Sequence, residues 1–419
     1  MSVASQPAPR RTVKHGLRAW FGAGPRRHGE PIEGRAVSFI ELLYDLVFVV
    51  LVGQTAHTLA VHPSWSSAGV FAAVFGLIWI GWINGTLYHE LHGREDGRSR
   101  LYIFAQMAVL TVLAVFTGAA GTTDGKAFAL TYAVLIALLF WQWYEVRLHD
   151  LPENRPASTP YLVALVVTIV VMVATAWLPE AVRVSAWAAL VLGWVAVSTV
   201  SFIRRDPTQS FVEPTESLIE RLALFIIIVL GETVVGVVNG ITQAGQDALT
   251  IVTGVLGLCV GFGVWWNVFD IVGVREPRPE RGRLAAWMFA HLPQCGAIAA
   301  SGAAMVGLVT HAQADRTPPA VAWTLGGAVA VSLVFIAVQS ASVQHDPDEL
   351  GTRAITIIFL IGAVLVLVVA ALTPRAWLLA LLVVVVLSLT WLTTFVPPTS
   401  EEAAVNEPEG GPATTPPAI

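Results

Sequence analysis

The chain has 419 residues, of which 55% are hydrophobic and only 13% are charged, and its mean hydropathy is +0.68. Because soluble domains carry about 25% charged residues, this composition excludes an ordinary soluble protein. The net charge of −5 is unevenly spread, since residues 1–35 contain seven Lys or Arg residues whereas residues 397–419 contain four Glu and no base. We therefore expect a membrane-embedded body between a basic cytoplasmic arm, residues 1–37, and a disordered acidic and Pro-rich tail, residues 397–419.

Twelve segments have the length and apolar content of a membrane-spanning helix, which needs about 20 apolar residues. This pattern predicts an all-α polytopic membrane protein, and because residues 1–35 contain no apolar run we expect no cleavable signal peptide. The predicted spans are 38–58, 67–89, 100–120, 127–146, 160–178, 184–203, 218–239, 249–271, 284–310, 319–343, 353–372 and 376–396.

Basic residues between the spans predict the orientation of the chain, because Lys and Arg are enriched in cytoplasmic loops. With the N-terminus inside, 20 of the 24 Lys and Arg residues fall on the inner side of the membrane and 4 fall on the outer side. We therefore expect both termini to be cytoplasmic, which agrees with an even number of spans.

Three patterns occur twice in the same order, 178 to 195 residues apart, which predicts an internal repeat. The first pattern is Ser38-Phe-Ile-Glu41 followed by Gly53-Gln54-Thr55, which recurs as Ser217-Leu-Ile-Glu220 followed by Gly231-Glu232-Thr233. The other pairs are Trp82-Ile-Asn84 with Trp265-Trp-Asn267 and Ala176-Trp-Leu-Pro179 with Ala371-Leu-Thr-Pro374. We infer two parallel six-helix repeats, residues 38–203 and 218–396, joined by a cytoplasmic linker at 204–217. A site is expected between such repeats.

Two carboxyl groups lie too deep in the predicted spans to act as helix caps. Asp45 lies about 10 Å from the start of the first span, and Glu232 about 22 Å from the start of the seventh, at 1.5 Å per residue. An ionised side chain at the bilayer centre costs on the order of 2.5–3.5 kcal/mol, so we expect both acids to face a protein interior and to have a function. Glu41 and Glu220 instead fit a capping box with the serine three residues before each.

The first span, Glu41-Leu-Leu-Tyr-Asp45-Leu-Val-Phe48, resembles the Glu-Leu-Phe-Phe-Asp-Leu-Val-Phe signature of the bacterial low-temperature-requirement A (LtrA) family. Two further segments are similar to motifs of this family, namely Glu220-Arg-Leu-Ala-Leu-Phe-Ile-Ile-Ile-Val-Leu-Gly231-Glu232 and His291-Leu-Pro293. The resemblance implies membership of that family and a place in the bacterial cytoplasmic membrane. It does not imply a particular reaction.

Further polar residues lie at a similar depth in the predicted spans. Asn84, Asn267 and His291 are eight to ten residues from an inner-side arginine, which places them about 12–15 Å inside the membrane edge, in the same layer as Asp45. We expect these side chains to converge on one polar cavity. The full candidate set for proton coupling or substrate binding is Asp45, Glu232, His291, Gln54, Asn84, Asn267, Glu41 and Asp270.

The sequence lacks the usual motifs of metal-binding and nucleotide-binding sites. His89, Glu90 and His92 resemble a metal cluster in composition, but the charged residues that follow them favour a solvated loop. Cys259 and Cys295 both lie in apolar runs, and no phosphate-binding glycine loop, zinc-protease motif or serine-hydrolase motif occurs. We therefore expect no metal and no cofactor.

The candidate residues predict a proton-linked secondary transporter or permease of a small solute. In this scheme Glu232 couples proton movement to transport, Asp45 binds the substrate or a proton, and His291 relays protons. A cation channel is an alternative, because the first span is distantly similar to the Phe-Ser-Asp helix of lysosomal and bacterial potassium channels. An intramembrane acid-base enzyme acting on a lipid or isoprenoid is another. The expected partners are the lipid bilayer and a small-molecule or ion substrate, and we expect no nucleic acid. The sequence is compatible with a homo-oligomer.

Overall fold

A computed structural model describes residues 20, 22, 24–30, 37–94, 96–204, 214–273, 275–345 and 351–394. Within these ranges the chain forms twelve helices that are long and apolar enough to cross a membrane, so the predicted all-α protein with twelve spans is confirmed. The helices are α1 (Phe39–Val61), α2 (Trp65–His92), α3 (Gly97–Thr117), α4 (Lys126–His149), α5 (Arg155–Thr175), α6 (Glu180–Arg204), α7 (Glu216–Ala244), α8 (Ala248–Ile271), α9 (Arg281–Thr310), α10 (Pro319–Ser340), α11 (Thr352–Leu372) and α12 (Ala376–Thr393).

Side-chain caps decide where several of these helices begin. Asp96 accepts a hydrogen bond from the amide of Ser99 over 2.8 Å, so α3 starts before the predicted boundary at residue 100. Thr215 caps α7 by accepting from the amide three residues further on, over 3.2 Å. The capping box predicted at Ser217 is therefore wrong, and Glu220 is an exposed residue within the helix.

The described residues fall into two compact units. The first contains the described residues up to 54 together with 73–194, and the second contains 55–72, 195–204 and the described residues from 214 onward. Asp45 and Asn84 belong to the first unit, whereas Glu232, Asn267 and His291 belong to the second. The repeat boundaries at 38–203 and 218–396 stay predictions. Most of the predicted arm and linker, and the whole of the predicted tail, lie outside the described residues.

In the second unit, α7 packs closely on α9 because glycines face each other there. A Cβ on Gly236 would collide with the carbonyl oxygen of Gly302, and a Cβ on Gly302 would lie 2.9 Å from the Cβ of Glu232. Neither position has room for a side chain, and small residues spaced four apart, as Gly236 and Gly240 are, allow such close helix packing. This contact holds Glu232 against the backbone of α9.

Residues 24–30 form a segment, named the N-terminal strap, that packs on the ends of α2 and α4. The amide of Arg26 donates to the carbonyl of His92 over 3.0 Å, and Nδ1 of His92 donates to the carbonyl of Arg26 over 2.8 Å. Nδ1 of His28 contacts the carboxylate of Asp150, whose side chain is fully buried. The strap therefore covers polar groups at these helix ends.

Candidate functional site

Asp45 is the buried acid of the first unit and lies where α1 meets α2. It is only 1% exposed, and Nε1 of Trp82 donates a hydrogen bond to its Oδ1 over 2.8 Å. Trp82 is itself fully buried. Because a buried carboxylate depends on hydrogen bonds to compensate for lost water, the indole N–H holds this acid in one orientation. The predicted interior position of Asp45 is confirmed.

Glu41 lies in the first turn of α1 and is also buried. The amide of Ser38 donates to Oε2 of Glu41 over 3.0 Å. This bond is the half of a capping box in which the glutamate reaches back to the residue that precedes the helix. The predicted capping role of Glu41 is therefore confirmed, and its carboxylate lies at the positive end of the helix dipole.

Glu232 is the buried acid of the second unit. It is 7% exposed, and its carboxyl group makes no hydrogen bond or ion pair with any residue that the structure describes. The next residue, Thr233, is also buried, and its hydroxyl lacks a hydrogen-bond partner in the same part of the chain. Uncompensated burial of an acid is unfavourable, and ionisable groups within spans are concentrated at functional sites.

The two candidate asparagines have different surroundings. Both donate to the carbonyl four residues earlier in their own helix, over 2.7 Å for Asn84 and 2.8 Å for Asn267. Asn267 also donates to the carbonyl of Leu387 over 3.0 Å and accepts from the hydroxyl of Thr390 over 3.1 Å. Asn267 therefore links α8 to α12 through hydrogen bonds. Oδ1 of Asn84, in contrast, has no hydrogen-bond partner among the described residues.

His291 lies buried on α9, two residues before Pro293, and the helix continues through that proline. Its Nδ1 lies 2.8 Å from the carbonyl oxygen of Trp287. Because a carbonyl only accepts hydrogen bonds, Nδ1 carries the proton and Nε2 is the acceptor of the neutral ring. The ring packs edge-on against the indole of Trp287, with 5.1 Å between the centroids.

Gln54 and Asp270 are the two members of the candidate set that the fold does not bury. Both are exposed. Asp270 accepts a hydrogen bond from Nε1 of Trp391 over 2.6 Å, at the ends of α8 and α12. Position along a helix predicts depth but not the direction of the side chain, so it could not predict that these two residues are exposed. Whether the remaining candidates share one cavity stays a prediction.

A chain of hydrogen-bonded amides in the first unit was not predicted. Tyr44 donates its hydroxyl to Oε1 of Gln106 over 2.8 Å, and Nε2 of Gln106 donates to Oε1 of Gln142 over 2.8 Å. Gln142 is fully buried, and its Nε2 finds no hydrogen-bond partner in the described ranges. The available signal was an uncharged amide inside an apolar span, the same signal that identified Asn84.

His89, Glu90 and His92 are buried, so the predicted solvated loop is wrong. The reason is the N-terminal strap, since the guanidinium of Arg26 donates to the carbonyl of Glu90 over 3.0 Å. Across residues 24–30, 37–94 and the later described ranges, no three or more His, Cys, Asp and Glu side chains are grouped as a metal site would require. The backbone carbonyl of Glu90 and the ring of His92 bind the strap through hydrogen bonds to Arg26.

Two glutamines of the second unit also carry unpaired amide atoms. Nε2 of Gln294 on α9 donates to the hydroxyl of Ser332 on α10 over 2.7 Å, whereas Oε1 of Gln294 has no partner within the part of the chain that the structure describes. Gln339 is fully buried, and neither of its amide atoms has a hydrogen-bond partner there. A buried polar group left unpaired costs about 1–3 kcal/mol, so these positions call for a bound molecule or water.

The sequence model of the family described as "Bacterial low temperature requirement A protein (LtrA)" matches residues 36–393, which include all twelve helices. The chain belongs to the LtrA family. The resemblance inferred from the first, seventh and ninth spans is therefore confirmed. Asp45, Glu232 and His291, which lie in the family motifs, all fall inside the matched region and are all buried.

A curated relative of this LtrA family chain is "Uncharacterized protein RA0937" of Rhizobium meliloti (strain 1021), which is 30% identical over 208 residues. The match covers 47% of this chain and 49% of the relative. The chain thus spans about half the length of the curated relative it matches.

Proposed function

We propose that this LtrA family protein is a proton-linked secondary transporter or permease of a small solute, located in the bacterial cytoplasmic membrane with both termini on the cytoplasmic side. The observation that carries the proposal is Glu232, a buried acid with no counter-charge or hydrogen-bond partner among the described residues. A neutral residue would lie in a membrane span at lower cost. An acid at this position supports a role in binding and releasing a proton.

Three of the candidate residues, Glu232, Asp45 and His291, have surroundings that support a role in transport. No described neighbour fixes the charge of Glu232, so its carboxyl group can exchange a proton during a transport cycle. Asp45, oriented by the Trp82 indole, is the substrate or proton site of the first unit. His291 relays protons through Nε2, because its Nδ1 is bound to a backbone carbonyl.

The proposal includes two six-helix repeats, an architecture common among secondary transporters. Asn84 on α2 and Asn267 on α8 both donate to the carbonyl four residues earlier. Gln106 on α3 and Gln294 on α9 both donate Nε2 to a side chain of the helix that follows. These matched contacts, on the second and third helices of each half, support the repeat. The orientation is supported by the distribution of basic residues, since it assigns 20 of the 24 Lys and Arg residues to the cytoplasmic side.

Proton movement in liposomes tests the proposal. Purified protein is reconstituted with a pH-sensitive dye inside, and a panel of small solutes is added under an imposed pH gradient. We expect a solute of the panel to accelerate proton movement in the wild type, and Glu232→Gln to abolish that effect without loss of expression. Glu220→Gln is the matched control, because Glu220 is an exposed acid on the same helix. Unchanged proton movement in Glu232→Gln contradicts the proposal, as do unitary currents in planar bilayers.

A further inference from the structure

A row of buried amide and hydroxyl groups follows the seam between α9 and α10 in the second unit. The bond from Gln294 to Ser332 fixes the level at which the two helices meet. Gln339 lies seven residues after Ser332, which is about two turns or 10 Å along the same face of α10. His291 lies three residues before Gln294 and therefore shares its face of α9. Because consecutive helices joined by the short connection 311–318 run in opposite directions, Gln339 and His291 lie on the same side of the Gln294–Ser332 bond.

The unpaired atoms along this seam define the chemistry of a ligand. Gln294 offers its Oε1 as an acceptor, and Gln339 offers both a donor and an acceptor. The amide of Gln339 is unpaired at both atoms, so what this residue offers to a ligand does not depend on which of its atoms is nitrogen. A bound cation would need carboxylates and a bound anion would need Arg or Lys, and neither type belongs to this row of side chains. The complementary molecule is uncharged and has a donor beside an acceptor.

Polar side chains continue from this seam to the end of α10. Ser340 is the neighbour of Gln339, and its hydroxyl lies 3.1 Å from Nε2 of His345. Nδ1 of His345 lies 3.1 Å from NH1 of Arg275, which is only partly buried. Ser340, His345 and Arg275 thus form a hydrogen-bonded polar group at the end of α10, and this group begins at the residue after Gln339.

We propose that Gln294 and Gln339 form a binding site for a small uncharged solute of the amide or urea type, in which an N–H group lies next to a carbonyl oxygen. The Gln339 amide pairs with both groups, and Oε1 of Gln294 accepts a second N–H. The inference rests on the proposed function, because it names the class of solute that the transporter carries.

Urea and acetamide are the probes for this site. Proteoliposomes containing the wild-type protein are mixed with each probe, and entry is followed by stopped-flow light scattering. We expect entry to exceed that of protein-free liposomes and to fall at least tenfold in Gln339→Leu. Gln344→Leu, which changes an exposed glutamine close in sequence, is the matched control and should behave as the wild type. Wild-type entry equal to that of protein-free liposomes, or equal entry in Gln339→Leu and wild type, would overturn the site.

Thermal unfolding separates a binding role from a structural one. Because the amide of Gln339 has no hydrogen-bond partner in the described ranges, an apolar residue of similar size should leave the unfolding midpoint unchanged or raise it. A lowered midpoint in Gln339→Leu would mean that this amide is structural, and would overturn the inference.

The same liposomes distinguish the failure of this inference from failure of proton coupling. Entry of urea or acetamide that depends on Gln339, but not on a pH gradient or on Glu232, supports the site and contradicts the coupling. Proton movement that other solutes elicit through Glu232, in the absence of any amide entry, contradicts the site and leaves the coupling in place.

Discussion

Trp82 on α2 donates its indole N–H to the carboxylate of Asp45 on α1 over 2.8 Å, and both residues are buried. Replacing Trp82 by Phe keeps an aromatic ring in place and removes this donor. We expect Trp82→Phe to lower the free energy of unfolding by about 1–3 kcal/mol, because the acid stays buried without that hydrogen bond. Thermal unfolding in detergent measures the change. Trp141→Phe alters an exposed indole and should keep the wild-type midpoint; equal midpoints in both variants would refute the role of the bond.

Asn267 and Asn84 provide a comparison between two helices in corresponding positions. Asn267 bonds to Leu387 and Thr390 on α12, whereas the hydrogen bond of the Asn84 side chain stays within its own helix. We expect Asn267→Leu to destabilise the protein by about 1–3 kcal/mol, because the hydroxyl and carbonyl on α12 lose a buried partner. Asn84→Leu should cost less, since it breaks no contact between helices. Chemical unfolding of both variants checks the order, and an equal or reversed order would count against the interhelical role of Asn267.

The N-terminal strap depends on His28, whose ring contacts the buried carboxylate of Asp150. We expect His28→Ala to loosen the strap, because Asp150 then loses the imidazole and keeps only the backbone amide of residue 28, at 3.3 Å, as a partner from this segment. Limited trypsin digestion reports on the strap directly, since Arg26 and Arg27 lie within it. Cleavage there should be faster in His28→Ala than in the wild type. His57→Ala, which removes an exposed histidine elsewhere, should leave the rate unchanged, and identical rates in all three proteins would show that the contact does not hold the strap.

Asp247 caps α8 and makes its start sensitive to acid. The hydroxyl and then the amide of Thr250 hold the pKa of the Asp247 carboxyl below its ordinary value, with a further contribution from Gln313. A lowered pKa means that the cap stabilises the folded protein fully above the ordinary Asp value, about 3.9, and loses this effect as the pH falls through the lowered value.

Hydrogen exchange in the first turn of α8 checks this prediction. As the pH falls, the amides of Leu249 and Thr250, which donate to Asp247 over 3.1 Å, should lose protection in the wild type. Asp247→Asn keeps an acceptor at the cap but does not titrate, so its protection should not change in this range. The same pH dependence in both proteins would exclude Asp247 as the titrating group.

Composition and hydropathy were sufficient to predict the twelve spans, because each span must bury enough apolar surface to cross a bilayer. The exact first residues of the helices were harder to predict. Thr215 and Ser217 are both good N-cap residues for α7, and only the hydrogen bond to a backbone amide shows that Thr215 is the cap. Depth along the helix correctly predicted the burial of Asp45, Glu232 and His291. It failed for Gln54, where the rotation of the side chain about the helix axis matters.

Long-range contacts explain what the sequence could not predict. The burial of His92 depends on Arg26, which is 66 residues away along the chain. The link between Gln106 and Gln142 likewise joins two helices whose register is set by tertiary packing. A pattern along one helix carries no information about such partners, so polar residues in spans could be flagged as candidates but not assigned to contacts.

The central claim is that Glu232 takes up and releases a proton. Infrared difference spectroscopy between acid and alkaline pH measures this directly, because a protonated carboxyl group has a C=O stretching band that a carboxylate lacks. We predict a carboxylic acid band in the reconstituted wild-type protein and in Glu220→Gln that is missing from Glu232→Gln. A difference spectrum of Glu232→Gln that retains the full wild-type band would contradict the account.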